Sequence, residues 1–291
     1  MRRLGRIQAI DPSQDFLGRI VLVIPHMDDE ALACGGLLAR LPHKDRIQLI
    51  YATDGRRSPA PIVPGHDKVS QDLGEMRISE SMAAMRMLGV PRDNLHFLRL
   101  PEANLTQHRR ALKEELRRLL QATQPDFVFV PFRYDRHPDH LVINHIVTQW
   151  HNLGLITAQV VEYFVYYRWR LLPMRDVRCY IEPRQLLQLD ISSVADEKRA
   201  ALNCFRSQVT RLYAWQTRPI LTPALLDEEC QQPEVFLRHE PDVPGPAVFT
   251  HAAAWIRLVH RLEPILQKCN YIAGSFLRRG FRQLVRYGHR A

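Results

Sequence analysis

Ile20-Val-Leu-Val-Ile24, followed at once by Pro25-His26-Met27-Asp28-Asp29-Glu30, is the stretch on which the fold turns. Five consecutive apolar residues, four of them β-branched, read as a buried strand. The run ends in a turn that holds one histidine and three acids. From Asp29 to Leu41 the apolar residues Leu32, Leu37, Leu38 and Leu41 then recur at helical spacing. Strand, polar turn and helix together open a βαβ unit. Gly35 and Gly36 weaken that helix and predict a close packing contact along it.

The same alternation continues outward. Arg46 to Thr53 reads as a second strand, and the polar stretch 54–70, with three prolines, as a long loop of the kind that serves as a lid or binding loop. Leu73 to Leu88 is helical and closed by Gly89 and Pro91. A short strand at Leu95 to Leu98, a charged helix at Arg109 to Ala122 and a strand at Asp126 to Val130 follow. Leu141 to Trp150 is helical, and Val160 to Tyr166 is a further strand. Leu186 to Ile191 reads as an edge strand, Ala195 to Gln208 as one helix, and the proline-rich 216–250 as irregular. The expected class is α/β, a Rossmann-like, mostly parallel sheet flanked by helices, spanning about 16 to 215.

Composition is that of an ordinary globular chain, with 46% hydrophobic and 24% charged residues among 291. The five cysteines are far apart and form no CxxC pair. That excludes a disulfide framework or a cysteine-built zinc site from the expectations and fits a reducing compartment. No long apolar stretch follows Arg2-Arg3, so the expected location is cytoplasmic. The net charge of +9 is uneven: residues 251–291 carry eight Arg/Lys against the single acid Glu263. Residues 1–244 and a basic amphipathic extension, 245–291, are therefore read as separate parts. Trp255, Leu258, Val259 and Leu262 in the extension recur at helical spacing, which suits packing on a core or partner. The interleaved positive charge also suits an anionic membrane surface, here the inner face. The first 250 residues need no polyanion to explain them, and nucleic acid is not an expected partner.

A second cluster, His137-Pro138-Asp139-His140, follows the apolar run Phe127 to Pro131. Both clusters thus lie just past a buried strand, at the edge where open α/β sheets bind ligands. A catalytic zinc site takes three protein ligands and keeps one position for water. His26 and Asp29, three apart in one turn, supply two ligands, and His140 is the natural third. Asp29 alone also reads as a helix N-cap. Asp28 and His137 are left for proton transfer, the one as base and the other as donor to an oxyanion or leaving amine. Asp139 suits the carboxylate that holds a histidine in one tautomer. The donor set fits zinc and leaves another divalent ion such as Fe2+ open.

The two clusters resemble the LmbE/PIG-L family of metal-dependent N-acetylglucosaminyl deacetylases. Tyr51-Ala-Thr-Asp54-Gly55, the Arg77-Ile-Ser-Glu80 helix ending in Leu88-Gly89-Val90, and Lys198-Arg-Ala-Ala-Leu202 with Ser207-Gln208 are similar to family segments in order and spacing. The resemblance covers roughly residues 18–240. It implies a Rossmann-like fold, a zinc ion and removal of acetate from an N-acetylated sugar conjugate. It further implies His26, Asp29 and His140 as metal ligands, Asp28 as general base, and His137 polarising the tetrahedral intermediate with support from Asp139. Arg77 falls where family members contact the sugar, with Asp54 as a further substrate-side residue; as bland alternatives, Arg77 and Glu80 pair on a solvated helix face and Asp54-Gly55 is an ordinary turn. Met27 stands where proline is usual, and Glu102, where aspartate is common, receives no role. Two other readings stay open: an amidase of the same fold acting on a different amide, such as a thiol-sugar conjugate, and a non-catalytic adaptor that binds a membrane or a polyanion through the basic extension.

Overall fold

The computed structural model describes residues 7–59, 71–133, 135, 137–165 and 183–240. Among the described residues eight strands form one sheet: β1 (Gln8–Ala9), β2 (Ile20–Ile24), β3 (Ile47–Thr53), β4 (Leu95–Leu100), β5 (Phe127–Pro131), β6 (Gln159–Tyr163), β7 (Leu186–Leu189) and β8 (Glu234–Arg238). Their order is β1-β7-β8-β6-β5-β2-β3-β4. All neighbours are parallel except β8, which runs antiparallel to β6 and to β7. The chain lays β2, β3 and β4 outward in one direction and then returns to place β5 and β6 on the other side of β2. The crevice between β2 and β5 is thus the switch point of the sheet, where ligands bind in folds of this kind.

Strand β2, which follows the short helix α1 (Pro12–Asp15), is buried along its whole length, and its alternate residues feed two cores. Ile20, Leu22 and Ile24 pack with α2 (Asp29–Arg40), α3 (Gln71–Met87) and α6 (Ala195–Asn203) on one face. Val21 and Val23 pack with α4 (Arg109–Thr123) and α5 (Pro138–Asn152) on the other. Burial of both faces is the reason the run is uniformly apolar rather than alternating.

The expected contact at the glycine pair is present. A Cβ on Gly36 would stand 2.2 Å from Ile191 Cγ2, and one on Gly35 2.9 Å from Lys198 Cγ. Behind those glycines lies a buried ion pair. Lys198 Nζ donates to Glu234 Oε1 and to Leu32 O, each at 2.8 Å. The Glu234 carboxylate also accepts the amides of Gly36 and Leu37 at 2.7 and 2.8 Å. Lys198 is fully buried and Glu234 is 4% exposed, so removing one partner strands a charge in the core. Lys198→Met is expected to cost about 3–5 kcal/mol of folding free energy, read as a fall in the urea midpoint with an unchanged slope.

Three expectations need correction. Residues 216–222 are irregular as expected, but 223–238 are not: Thr222 caps α8 (Pro223–Gln231), its side chain accepting from Leu225 N, and β8 follows. Pro223 is the first residue of that helix and Pro233 lies between helix and strand, so the prolines punctuate the elements instead of preventing them. The single helix expected over 195–208 is two, α6 and α7 (Arg206–Val209), separated at the buried Phe205. The break turns Ser207 toward Glu80, which accepts from Ser207 N at 2.7 Å and Ser207 Oγ at 2.6 Å. The sheet also reaches beyond 16–215, through β1 and β8, and β7, expected at an edge, lies between those two strands. Most of the expected loop at 54–70, the end of the strand expected at 160–166, and the extension 245–291 lie outside the described residues. Among the described residues no helix is long and apolar enough to cross a membrane.

Candidate metal centre

Two strand ends build the site. Chain leaving β2 turns through Pro25-His26-Met27-Asp28 into α2, while chain leaving β5 enters α5 at His137. His137 is the N-cap of α5: its ring Nδ1 accepts from Asp139 N at 3.2 Å, and Pro138 occupies the first turn. Asp29 does not cap α2. Its Oδ2 instead accepts from the His26 amide at 3.0 Å, bracing the turn from within.

Residues 114 positions apart converge here. His26 Nδ1 and His140 Nε2 are 3.2 Å apart, and each lies 3.3 Å from Asp29 Oδ2. All three residues are buried, and Asp29 Oδ1 is a buried oxygen with no hydrogen-bond partner among the described residues. Donors bound tetrahedrally at zinc distances of about 2.0–2.1 Å form a triangle with edges of about 3.3–3.4 Å. The observed triangle has that size. His137 lies beside it: one ring nitrogen from each of His26, His137 and His140 falls within 4.8 Å of the others, a group that could hold a metal. The tighter triangle and the orphaned Asp29 oxygen favour Asp29 over His137 as the third donor.

The far nitrogens are held as a metal site requires. His26 Nε2 lies 3.3 Å from Asp139 Oδ2, and His140 Nδ1 lies 3.3 Å from Asp135 Oδ2. A carboxylate behind each imidazole fixes its tautomer and orientation and raises its basicity as a ligand. Asp139 therefore backs His26 more closely than His137, whose Nδ1 is 3.8 Å away. Asp139 is itself anchored by the amides of Ala103 at 2.7 Å and Leu105 at 3.1 Å. Asp135 was not foreseen. It is 2% exposed and accepts the His137 amide at 3.1 Å. The only trace of it in the sequence is an acid two residues before the histidine cluster, which no spacing rule singles out.

The electrostatics agree with a cation site. Burial opposes charge on His26, yet Asp139 and Asp29 overcome it and raise its pKa to about 9. Burial likewise opposes charge on His140, and Asp135 and Asp29 raise its pKa to about 10. A field negative enough to hold protons on two buried imidazoles is one that would hold a divalent ion. His137 behaves oppositely. Burial, with His26 and His140 as positive neighbours, pushes its pKa down to about 4. Its Nδ1 is occupied as an acceptor, so the neutral ring carries its proton on Nε2.

Asp28 sits beside the triangle in a backbone conformation with φ of +122°, one that a non-glycine residue adopts at a cost of about 1–3 kcal/mol. Burial pushes its pKa up to about 8 against the pull of Arg77. Arg77 and Glu80 do not share a solvated face: both are buried, and Glu80 is held by Ser207. Asp54 Oδ1 accepts from the amides of Glu102 at 3.2 Å and Arg56 at 3.3 Å, which shapes the loop after β3.

These features define a mostly parallel α/β domain with a candidate metal centre at its switch point. Residues 21–151 match the family described as PIG-L: GlcNAc-PI de-N-acetylase, and this segment is a PIG-L (LmbE-like) domain. Solved structures of the same fold include the conserved protein TT1542 from Thermus thermophilus, at 24% identity and a TM-score of 0.51 over 79% of this chain and 99% of that one. The N,N'-diacetylchitobiose deacetylase from Pyrococcus horikoshii is similar at 19% identity and a TM-score of 0.55, over 83% and 88% of the two chains. GalB, the 4-carboxy-2-hydroxymuconate hydratase from Pseudomonas putida KT2440, is similar at 17% identity and a TM-score of 0.52, over 78% and 99%. These likenesses establish the fold.

Proposed function

We propose that this protein is a zinc-dependent hydrolase that removes acetate from an N-acetylglucosamine-type sugar conjugate. The carrying observation is the triangle of His26 Nδ1, His140 Nε2 and Asp29 Oδ2, with edges of 3.2–3.3 Å, inside a PIG-L domain. A zinc ion held there would polarise the amide carbonyl and lower the pKa of water bound to it to about 7. Asp28 accepts the proton of the water that attacks the acetamide carbonyl. His137, with its proton on Nε2, donates a hydrogen bond to the developing oxyanion, and the proton that Asp28 took from the water passes to the departing amine, so that acetate and a free amine leave. The ring is a neutral donor because its Nδ1 accepts the Asp139 amide. Asp139 and Asp135 hold His26 and His140 in their ligand tautomers. The acetylated-sugar substrate agrees with the deacetylase named among the structures of the same fold, and iron at the same donors would serve the same chemistry.

The division into a catalytic part, 1–244, and a basic extension, 245–291, is proposed with it, and so is peripheral membrane contact through that extension. The test is release of acetate by zinc-loaded protein from a panel of N-acetylglucosamine conjugates, with larger amides and 4-carboxy-2-hydroxymuconate as competing substrates. Acetate release supports the reading. Turnover confined to the larger amides or to hydration of the muconate overturns it.

A further inference from the structure

We propose that the cavity between α4 and α5, at the edge of the sheet opposite the metal centre, is a second binding site, and that its ligand is a flat organic anion: an aromatic ring bearing a carboxylate, sulfonate or phosphate group. The proposal goes beyond the hydrolase reading and does not depend on it.

The cavity measures about 520 Å³, within the range of about 300–1,000 Å³ usual for small-molecule sites. Arg19 and Asp126, both in its wall, immediately precede β2 and β5. His26, Asp29 and His140 follow the carboxyl ends of the same two strands. The five residues of β2, on the order of 17 Å, separate the two sites.

Trp150, 5% exposed, forms part of the wall. The Arg117 guanidinium lies over its ring, 5.7 Å from the centroid. Stacking on the indole holds the guanidinium in place, so less freedom is lost when it grips an anion. Among the described residues the Trp150 indole N–H has no hydrogen-bond acceptor, although a buried indole usually finds one. Leu155, 63% exposed, adds apolar surface to the same wall.

The charge of the wall is unbalanced. Among the described residues neither Arg19 nor Arg117 is in an ion pair. The one acid of the wall, Asp126, is committed elsewhere. Its Oδ2 accepts the Arg19 amide at 2.7 Å, and a Cβ on Gly18 would stand 2.4 Å from that oxygen. At the end of α5, where free carbonyls would repel an anion, Gln149 O, Trp150 O and His151 O already accept the amides of Leu153, Leu155 and Gly154. Two arginines select a carboxylate, sulfonate or phosphate, and the indole with its apolar neighbour selects a ring.

The test is calorimetric titration of the full chain with 2-naphthalenesulfonate, a flat anion that is a poor zinc ligand, with 2-naphthalenemethanol as its uncharged counterpart. One sulfonate should bind per chain, and the alcohol about tenfold more weakly or worse. Arg117→Gln and Arg19→Gln should each weaken the sulfonate by about tenfold, the worth of one charge-assisted hydrogen bond. Both arginines are exposed, so the variants should melt at the temperature of the wild type. No binding, equal binding of the alcohol, or unchanged affinity in either arginine variant overturns the proposal. Zinc-free and zinc-loaded protein should bind the sulfonate equally. Binding that requires zinc places the anion on the metal centre and likewise overturns it.

Discussion

Asp28→Asn is expected to lower acetate release by about 10²–10⁴, the usual worth of one positioned proton transfer, while zinc stoichiometry stays at that of the wild type. The replacement keeps the size of the side chain, and its carbonyl oxygen can still accept from Arg77 Nη2, 3.2 Å from Asp28 Oδ1 in the native protein. Folding should survive as well. Burial, with Asp29 and Glu30 as negative neighbours, pushes the pKa of the Asp28 carboxyl up to about 8 against the pull of Arg77, so the site already tolerates a neutral side chain there. What asparagine cannot do is take a proton. Rates of acetate release under saturating zinc, with metal content measured on the same samples, separate loss of the base from loss of the ion. Full activity in Asp28→Asn would assign the base elsewhere.

Asp29→Ala should act by the other route. Asp29 supplies one corner of the donor triangle and lies 3.3 Å from each histidine donor. Its removal leaves His26 and His140 facing each other at 3.2 Å without the anion between them. Zinc should fall well below one ion per chain, and acetate release should fall by at least about 10³, since several kcal/mol of transition-state charge stabilisation leave with the ion. A physical readout accompanies the kinetic one. A ligand that binds only the folded state at a thousand times its Kd stabilises by about 4 kcal/mol, so zinc should raise the melting temperature of the wild type and leave that of Asp29→Ala unmoved. If Asp29→Ala bound zinc as tightly as the wild type, the ion would be held by His26, His137 and His140 instead.

Much of the architecture was legible because its cause is local. A strand buried on both faces must be apolar throughout, and Ile20–Ile24 is. The turn chemistry that follows it, and the matching cluster behind Phe127–Pro131, place ligand-type residues at strand ends without knowledge of any contact. Gly35 and Gly36 announced a close approach, although only the packing shows that Lys198, Ile191 and Glu234 make it. The missed strand β8 is the opposite case. Glu234–Arg238 is short, flanked by prolines, and becomes a strand by pairing with β6 and β7. Its Glu234 is buried only because Lys198 and two helix amides meet it.

The linear order of residues was enough for the class of the fold, the PIG-L domain and the whereabouts of the two clusters, since periodicity and turn chemistry act over a few neighbouring residues. Which atoms meet was settled by topology. The switch point between β2 and β5 brings His26, Asp29 and His140 within 3.3 Å. Packing then recruited Asp135 behind one imidazole and Asp139 behind the other, and set Arg77 on the Asp28 turn. Hydrogen bonds and ion pairs between residues dozens of positions apart depend on a closed core, and no local pattern encodes the geometry that a closed core imposes.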